Sequence, residues 1–548
     1  MKKIALTGMT WLTAANFLSA QINSSGANFP EREQEIIAAS KIQDKPQFNG
    51  ASVTGVHPGT LLVYSLTVSG QRPILFSAKN LPAGVQLDPQ TGIITGTLTN
   101  AGEYTFSAIA KNSAGHAKAK IKIVCGDTLA LTPPLGWNSY DAFGDNVIES
   151  EMLANARYLA DKMQPVGWNK IVVDYCWSDP GAHDNNRNAR AGALLTMDAF
   201  GRLLPATNRF PSASGGVGFK PLADAVHALG LQFGIHVMRG IPRQTVKANL
   251  PIAGSQFTAT DADDTNDLCA WCPDMFGVKN NAAGQAWYDS CARLWAAWGV
   301  DYIKVDDLSR PYHTAEIEMI RRAIDSCGRS IIFSTSPGET PLADAKHIAT
   351  HANLWRVSDD FWDNWKSLEH EFSYAARWQD FVGQGHWPDA DMLPIGHLSV
   401  RNRSVGHDRQ THFTRVEQLT VLSLWSLLPS PLMVGANLPD NDEWTLALLT
   451  NPEVIAVNQD SLGSAAHRIS AENAEPEIWS RSLADSSLAV GFFNLTDQPL
   501  KVEYDWQQMD FAKSPHVRDL WIRRDLDKQK IFATELPPHG CVLLRVKK

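Results

Sequence analysis

The chain has 548 residues, of which 44% are hydrophobic and 20% are charged. At about 150 residues per domain, this length predicts three or four domains, or one large domain with appended modules. The composition excludes a wholly disordered chain, a collagen-like repeat and a coiled coil. Its 49 basic and 58 acidic residues give a net charge of −9, which disfavours nucleic acid and anionic membrane as partners and favours a neutral ligand.

Residues 1–20 have the features of an export signal: a basic start at Lys2 and Lys3, a mostly apolar run, and small residues before Gln21. The rest of the sequence contains no stretch of about 18 uninterrupted apolar residues, so no membrane span is expected. We therefore expect a periplasmic or secreted protein. Residues 21–45 are polar and are predicted to be a linker.

The seven cysteines are too few for a disulfide framework at this length, and an odd number leaves at least one of them free. Cys269-Ala-Trp-Cys272 is a CxxC motif, but neither a second CxxC nor a nearby histidine pair accompanies it. A zinc site is therefore disfavoured at this motif, and either a local disulfide or a pair of buried thiols is expected.

Residues 46–127 alternate short runs of β-forming residues with turn residues, which predicts a small antiparallel β-sandwich. The stretch GVQLDPQTGIITGT (84–97) resembles a bacterial immunoglobulin-like module. Its expected role is that of a spacer or packing domain.

Residues 130–461 alternate short apolar runs with amphipathic helical patterns, which is the rhythm of parallel βα units. Counting LGWNSYDAF (135–143) as the first unit and WPDADML (387–393) as the seventh gives eight units, which favours a (β/α)8 barrel over an open sheet. After this region strands return, so residues 462–548 are predicted to form a C-terminal β-sandwich that caps the barrel.

Aspartates follow four of the predicted barrel strands. In a barrel the carboxyl ends of all strands meet on one face, where active sites are built. A single aspartate can equally be a helix cap, but four strands that end in this way are hard to explain as caps. The residues concerned are Asp174, Asp306, Asp307, Asp359, Asp360, Asp389 and Asp391.

Such a ring of carboxylates suits either a divalent-metal hydrolase or glycoside hydrolysis by a pair of acids. His236 and His386 lie near strand ends, but no HxH or HExxH motif accompanies them, so the metal alternative is disfavoured. A retaining glycosidase needs one ionised carboxylate and one protonated carboxyl group about 5 Å apart.

Two basic residues share strand faces with two of these aspartates. Lys304 lies two residues before Asp306, so both side chains point to the same face, and its ammonium group favours an ionised Asp306. Arg356 lies four residues before Asp360 and is placed to bind substrate hydroxyls.

Several motifs follow one another along the barrel region and its surroundings. They are TPPLGWNSYDAFG (132–144), VDYCW (173–177), WGVDYIKVDD (298–307), WRVSDDFWDNW (355–365) and GHWPDADMLPIG (385–396). In this order they resemble glycoside hydrolase family 27, the retaining α-galactosidase and α-N-acetylgalactosaminidase family. The resemblance covers about residues 130–548.

The resemblance implies a role for each matching residue. Asp306 corresponds to the nucleophile and Asp360 to the acid/base. Trp137 corresponds either to a residue that packs the barrel floor or to part of the sugar-pocket wall. The implied sugar-binding residues are Asp174, Lys304, Arg356 and Asp391.

This sequence departs from the family pattern in the sugar pocket. Tyr175 replaces the second of two paired aspartates, and Tyr140 stands where the family usually has tryptophan. Leu308 replaces a cysteine, so a common family disulfide is lost. Ser336 replaces a glutamate, as in the N-acetylgalactosaminidases, where a small residue makes room for an acetamide.

The leading hypothesis is a cofactor-free and metal-free retaining exo-glycosidase that releases terminal α-linked galactose from a carbohydrate substrate. Within the same chemistry, Ser336 fits an α-N-acetylgalactosaminidase and Tyr175 fits a β-L-arabinopyranosidase. A non-catalytic glycan-binding protein is a more distant alternative. The sequence leaves the oligomeric state open.

Overall fold

A computed structural model describes residues 29–182, 194–401, 406–511 and 514–547. The predicted export signal lies outside these ranges. Within the predicted linker, Phe29–Ala39 forms an α-helix. Arg32 of this helix is buried and forms a 3.0 Å ion pair with the buried Asp519. The linker prediction is therefore wrong for this segment, because the helix packs onto the body of the protein.

The immunoglobulin-like module is a β-sandwich with its own hydrophobic core. Its four-stranded sheet has the order Val53–Val56, Gly115–Cys125, Gly102–Asn112 and Leu75–Lys79, and its three-stranded sheet has the order Leu61–Ser65, Ile93–Thr97 and Val85–Leu87. Gln47–Phe48 pairs with Val68–Ser69. The pairing of Val53–Val56 with Gly115–Cys125 is parallel, which differs from the all-antiparallel prediction.

The central domain is the predicted barrel of parallel strands, and this prediction is confirmed. The strands are β1 (Leu135–Asn138), β2 (Lys170–Val173), β3 (Gln232–Met238), β4 (Tyr302–Asp306), β5 (Ile332–Thr335), β6 (Leu354–Arg356), β7 (Trp387–Asp389) and β8 (Leu432–Val434). From β1 to β7 each strand pairs with the next one, and β1 also pairs with β8. A parallel bridge between Leu393 and Val434 joins the segment after β7 to β8.

Helices surround the barrel, and an extra three-stranded sheet follows β3. This sheet contains Ile241–Pro242, Asp263–Leu268 and Met275–Val278. The α-helices of this region are Tyr140–Phe143, Glu149–Tyr158, Lys220–Ala228, Arg243–Lys247, Ala259–Ala262, Ala282–Trp298, Thr314–Ser326, Ala345–His351, Trp365–Trp378, Arg415–Leu427, Glu443–Leu449 and Pro452–Asn458.

Strand β4 illustrates how the barrel places charges at its mouth. Ile303 and Val305 are fully buried in the large core that includes the surrounding helices. Tyr302 belongs instead to a small cluster inside the barrel with Val172 and Leu354. Because side chains alternate along a strand, Lys304 and Asp306 face the same interior as Tyr302, nearer the carboxyl end.

The C-terminal domain is a β-sandwich that packs on the barrel. Strand His516–Asp519 is followed by a turn that buries Trp521. The indole nitrogen of Trp521 donates a 2.9 Å hydrogen bond to Ser423 of helix Arg415–Leu427. The strands are Ala466–Arg468, Glu477–Ser482, Leu488–Phe493, Leu500–Asp505, His516–Asp519, Arg524–Leu526, Ile531–Leu536 and Cys541–Lys547.

Among the described residues, no helix has the length and hydropathy needed to cross a membrane.

Candidate active site

A cavity of about 480 Å³ opens at the carboxyl ends of the barrel strands. This volume lies within the range of small-molecule sites. Most of the polar residues that line it are carboxylates, as the strand-end pattern predicted. The charged lining residues are Asp141, Asp174, Lys304, Asp306, Asp307, Arg310, Arg356, Asp359, Asp360 and Asp391, and the aromatic ones are Tyr140, Trp271, Phe361 and Trp362.

The deepest charged contact is an ion pair between Lys304 of β4 and Asp174 after β2. Lys304 Nζ lies 3.1 Å from Asp174 Oδ2, which also accepts a 2.7 Å hydrogen bond from Asn138. Burial alone would raise the pKa of Asp174, but Lys304, His236 and the hydrogen bonds hold it well below its usual value. Asp174 is therefore an ionised acceptor that is fixed in position.

Asp306, at the end of β4, is buried beside His236 of β3. His236 Nε2 lies 2.8 Å from Asp306 Oδ2, while Asp306 Oδ1 has no hydrogen-bond partner among the described residues. Burial would raise the pKa of Asp306, but His236 and Lys304 lower it below its ordinary value. The result is an ionised carboxylate with one oxygen left for a substrate.

Asp307, the neighbour of Asp306, faces a second charged cluster behind the cavity wall. Its backbone is left-handed, with φ of +67°. Arg239 contacts Asp307 Oδ2 at 2.8 Å and also pairs with Asp267 and Glu316. These contacts hold the turn that follows Asp306.

Arg356 joins two carboxylates on the other side of the cavity. Its Nη1 atom lies 2.8 Å from Asp391 Oδ1 and 3.4 Å from Asp360 Oδ1. Asp391 is buried, and burial together with the nearby Asp360 raises its pKa to about 6 despite Arg356. The side chain of Asp360 is 59% exposed, so this carboxyl group can exchange protons with water. Asp359 points elsewhere and pairs with Arg310 at 2.6 Å.

Three residues predicted to bind substrate are buried outside the cavity lining. Trp137 is fully buried, and its indole nitrogen donates a 2.7 Å hydrogen bond to the carbonyl of Ala436. It is therefore a packing residue, as in the first of the two alternatives implied by the family resemblance, and it does not bind substrate as part of the pocket wall.

Tyr175 and Ser336 lie directly behind the cavity surface. The Tyr175 ring packs edge-on against His236 and Trp271, and its hydroxyl lies 3.3 Å from Cys272 Sγ. Ser336 Oγ accepts a 3.5 Å hydrogen bond from Arg356. Both residues therefore shape the site through residues that line it, whereas Tyr140 lines the cavity itself as predicted.

Cys269 and Cys272 are buried near Tyr175, and no disulfide joins them. This corresponds to the second of the two alternatives predicted for the CxxC motif. Burial, together with the charge of Asp307, raises the pKa of Cys269 to about 12, so this thiol stays protonated. The motif therefore contributes to the packing behind Trp271.

Sequence reasoning missed Asp141, which lines the cavity after β1. Asp141 is buried, and its Oδ2 atom has no hydrogen-bond partner among the described residues. Burial and the charge of Asp391 raise its pKa well above the usual value. A side chain at Gly435 would clash with the Asp141 carboxyl group, so β8 makes room for it. The strand-end rule that identified Asp174 applies equally to Asp141.

The chain is 47% identical to the β-L-arabinopyranosidase of Geobacillus stearothermophilus, a member of glycoside hydrolase family 27 with a solved structure. The match covers 76% of this chain and 97% of that one, with a TM-score of 0.74. This chain belongs to glycoside hydrolase family 27. The family predicted from the motifs is thus confirmed, and the chain is a glycoside hydrolase.

Family models match three separate parts of the chain. The model described as alpha galactosidase A matches residues 276–460, and that of the alpha galactosidase C-terminal beta sandwich domain matches residues 473–546. An Ig domain model matches residues 45–125.

Curated GH27 relatives are more distant in sequence. Alpha-galactosidase 3 of Arabidopsis thaliana is 29% identical over 81% of this chain and 88% of the relative. Human alpha-N-acetylgalactosaminidase is 29% identical over 76% of this chain and 92% of the relative.

Asp141 provides a test of how the cavity binds its ligand. A protonated Asp141 has a hydrogen-bond donor that faces the cavity, so Asp141→Ala should lower kcat/KM by about tenfold to 100-fold, because a polar group of the bound sugar loses its partner. Asp141→Asn keeps an uncharged hydrogen-bonding group and should retain most of the activity. Steady-state kinetics with an aryl glycoside checks both variants. Equal activity of the alanine variant and the wild type would contradict a binding role for Asp141.

Proposed function

We propose that this chain is a retaining exo-glycosidase that hydrolyses terminal α-linked galactose, with Asp306 as the nucleophile and Asp360 as the acid/base. The proposal depends on one observation: two carboxylates that line the same cavity differ in burial and in their charged neighbours. Asp306 is buried, and its pKa is lowered by His236 and Lys304. Asp360 is largely exposed, beside Arg356. Asp306 is therefore suited to nucleophilic attack, and Asp360 is suited to transfer a proton.

In the first step, Asp306 Oδ1 forms a bond to the anomeric carbon while the glycosidic carbon–oxygen bond breaks. The carboxyl group of Asp360 gives its proton to the leaving oxygen. In the second step, the Asp360 carboxylate takes a proton from water as the water oxygen bonds to the anomeric carbon. The bond between Asp306 and the anomeric carbon breaks in the same displacement, and the sugar leaves with its original anomeric configuration.

The cavity geometry supports recognition of a single terminal sugar. Its inner end is closed by the Lys304–Asp174 pair and the apolar cluster beneath it. Asp174, Asp391 and Arg356 provide charged hydrogen-bonding groups for sugar hydroxyls. Trp271 and Trp362 add flat faces on which the sugar ring can pack.

Replacement of the nucleophile tests the mechanism. Asp306→Gly should lower kcat by about 10⁴-fold or more, because no group remains to form the covalent intermediate. Azide should restore turnover in this variant and yield the glycosyl azide of inverted configuration, since azide then occupies the place of the carboxylate. Wild-type activity in the glycine variant, or a rescued product of retained configuration, would contradict the role of Asp306.

β-L-Arabinopyranoside hydrolysis is the second candidate function, and Tyr175 favours it. L-Arabinopyranose in the β configuration matches α-D-galactose around the ring but lacks the 6-hydroxymethyl group. Tyr175 occupies the position where the family usually has a carboxylate for the 4- and 6-hydroxyls, so an acceptor for the 6-hydroxyl is missing. The GH27 relative at 47% identity is named a β-L-arabinopyranosidase.

A Tyr175 substitution tests how the site selects its sugar. Tyr175→Asp should raise the ratio of kcat/KM for an aryl α-galactoside to that for an aryl β-L-arabinopyranoside by about tenfold or more, because it restores a carboxylate at the position where the family usually has one for the 4- and 6-hydroxyls. Tyr175→Phe keeps the ring and should leave the ratio unchanged.

An unchanged ratio in the aspartate variant would contradict the role of Tyr175. In the same screen, wild-type turnover of only the arabinopyranoside would favour the second candidate over galactose. Turnover of only an aryl α-N-acetylgalactosaminide would instead favour α-N-acetylgalactosaminidase activity, which Ser336 fits.

Residues 1–20 support an extension of the proposal to the compartment. A basic start followed by an apolar run is typical of an export signal. We therefore place this activity in the periplasm or outside the cell, where it meets oligosaccharides and polysaccharides.

A further inference from the structure

Two histidines and a glutamate converge on the outside of the barrel, on helices that follow β4 and β5. His347 and His351 lie four residues apart on helix Ala345–His351, so they share one face. Glu318 lies on the neighbouring helix Thr314–Ser326. One ligand atom from each residue lies within 4.8 Å of the other two. The Nε2 atom of His347 is 3.4 Å from Glu318 Oε1.

The hydrogen bonds of both imidazoles orient them as metal ligands. His351 Nδ1 lies 2.8 Å from the carbonyl oxygen of His347. A carbonyl can only accept, so Nδ1 carries the hydrogen and Nε2 of the neutral ring has a free lone pair. His347 Nδ1 lies 2.6 Å from the hydroxyl of Tyr312, which leaves its Nε2 atom facing Glu318. Metal-binding histidines are held in the same way, with the second ring nitrogen bonded to an outer partner.

The charge and exposure of the cluster also suit a metal ion. Glu318 provides a carboxylate oxygen that already faces His347. The side chains of Glu318 and His347 are 37% and 22% exposed, so an ion can reach them from solvent and keep a water ligand. Two imidazoles and one carboxylate form a donor set that Zn²⁺ accepts together with water.

We propose that Glu318, His347 and His351 form a Zn²⁺ site that joins two outer helices of the barrel. None of the three lines the sugar cavity, so the site is separate from the glycosidase chemistry. The two helices follow the strands β4 and β5, and β4 ends at Asp306. The ion would therefore link the outer helices of two adjacent βα units. Its effect is on stability, since an ion that binds only the folded chain shifts the unfolding equilibrium.

The test uses the full-length protein after metal is stripped with a chelator and the chelator is removed. Zn²⁺ titration followed by calorimetry should give a saturable isotherm, and Zn²⁺ should raise Tm. Co²⁺ in place of Zn²⁺ should give the visible absorption bands of a four- or five-coordinate ion. His351→Ala and Glu318→Gln should each weaken Zn²⁺ binding by about tenfold or more and abolish the rise in Tm. His116→Ala, at an exposed position in the immunoglobulin-like module, should behave like the wild type.

Two results would overturn the proposal. If Zn²⁺ leaves the Tm of the wild type unchanged, the three residues form only an ion pair and its hydrogen bonds. If both variants bind Zn²⁺ as tightly as the wild type and keep the rise in Tm, the ion binds elsewhere. Because Glu318→Gln changes one exposed group without changing its size, it should fold even if His351→Ala does not.

Discussion

The active site depends on the ion pair between Lys304 and Asp174 at the bottom of the cavity. A buried charge is costly unless it is paired and hydrogen-bonded. Lys304 and Asp174 neutralise each other at 3.1 Å, and Asn138 provides a further hydrogen bond to Asp174. Removing either partner would leave an uncompensated charge inside the barrel. The pair therefore fixes both the floor of the cavity and the charge that acts on Asp306, the proposed nucleophile.

The pKa values of the cavity carboxylates follow from this arrangement. Asp306 is near two basic side chains, which lower its pKa although it is buried. Asp141 and Asp391 are equally buried, and there burial, together with the charges of nearby carboxylates, raises the pKa values. One cavity thus holds an ionised group for attack, Asp306, and a protonated group that can donate a hydrogen bond, Asp141. Burial alone would have raised the pKa of all three.

Much of this site could be predicted from the sequence, because strand ends are visible in the hydrophobic pattern. Lys304 and Asp306 share a face, as the two-residue period of a strand requires. Asp174 and Arg356 likewise lie at the carboxyl ends of strands, as their positions in the apolar runs indicate. The two-residue period no longer predicts the direction of a side chain where the chain leaves the strand. Cys176, Asp307 and Asp391 have left-handed backbones, with φ of +65°, +67° and +78°. Such turns redirect neighbouring side chains, and the periodicity of the sequence does not report them.

Other features were missed for different physical reasons. Helix Phe29–Ala39 has little hydrophobic signal of its own, and it is held by the distant partner Asp519. Trp137 was ambiguous because a tryptophan at a strand can pack inward or line a pocket, and only its hydrogen bond to Ala436 decides. His236 was weighed only as a metal ligand, whereas the pairing of β3 with β4 brings it to Asp306. These outcomes depend on contacts between segments far apart in sequence.

The central claim is that Asp306 forms a covalent bond to the sugar during turnover. The most direct measurement is mass spectrometry of a proteolytic digest after reaction with a fluorinated, activated galactosyl substrate, whose glycosyl-enzyme intermediate breaks down slowly. The account predicts that the peptide containing Asp306 gains the mass of one fluorinated glycosyl group. An adduct on a different residue, or an inverted product with no adduct at all, would contradict it.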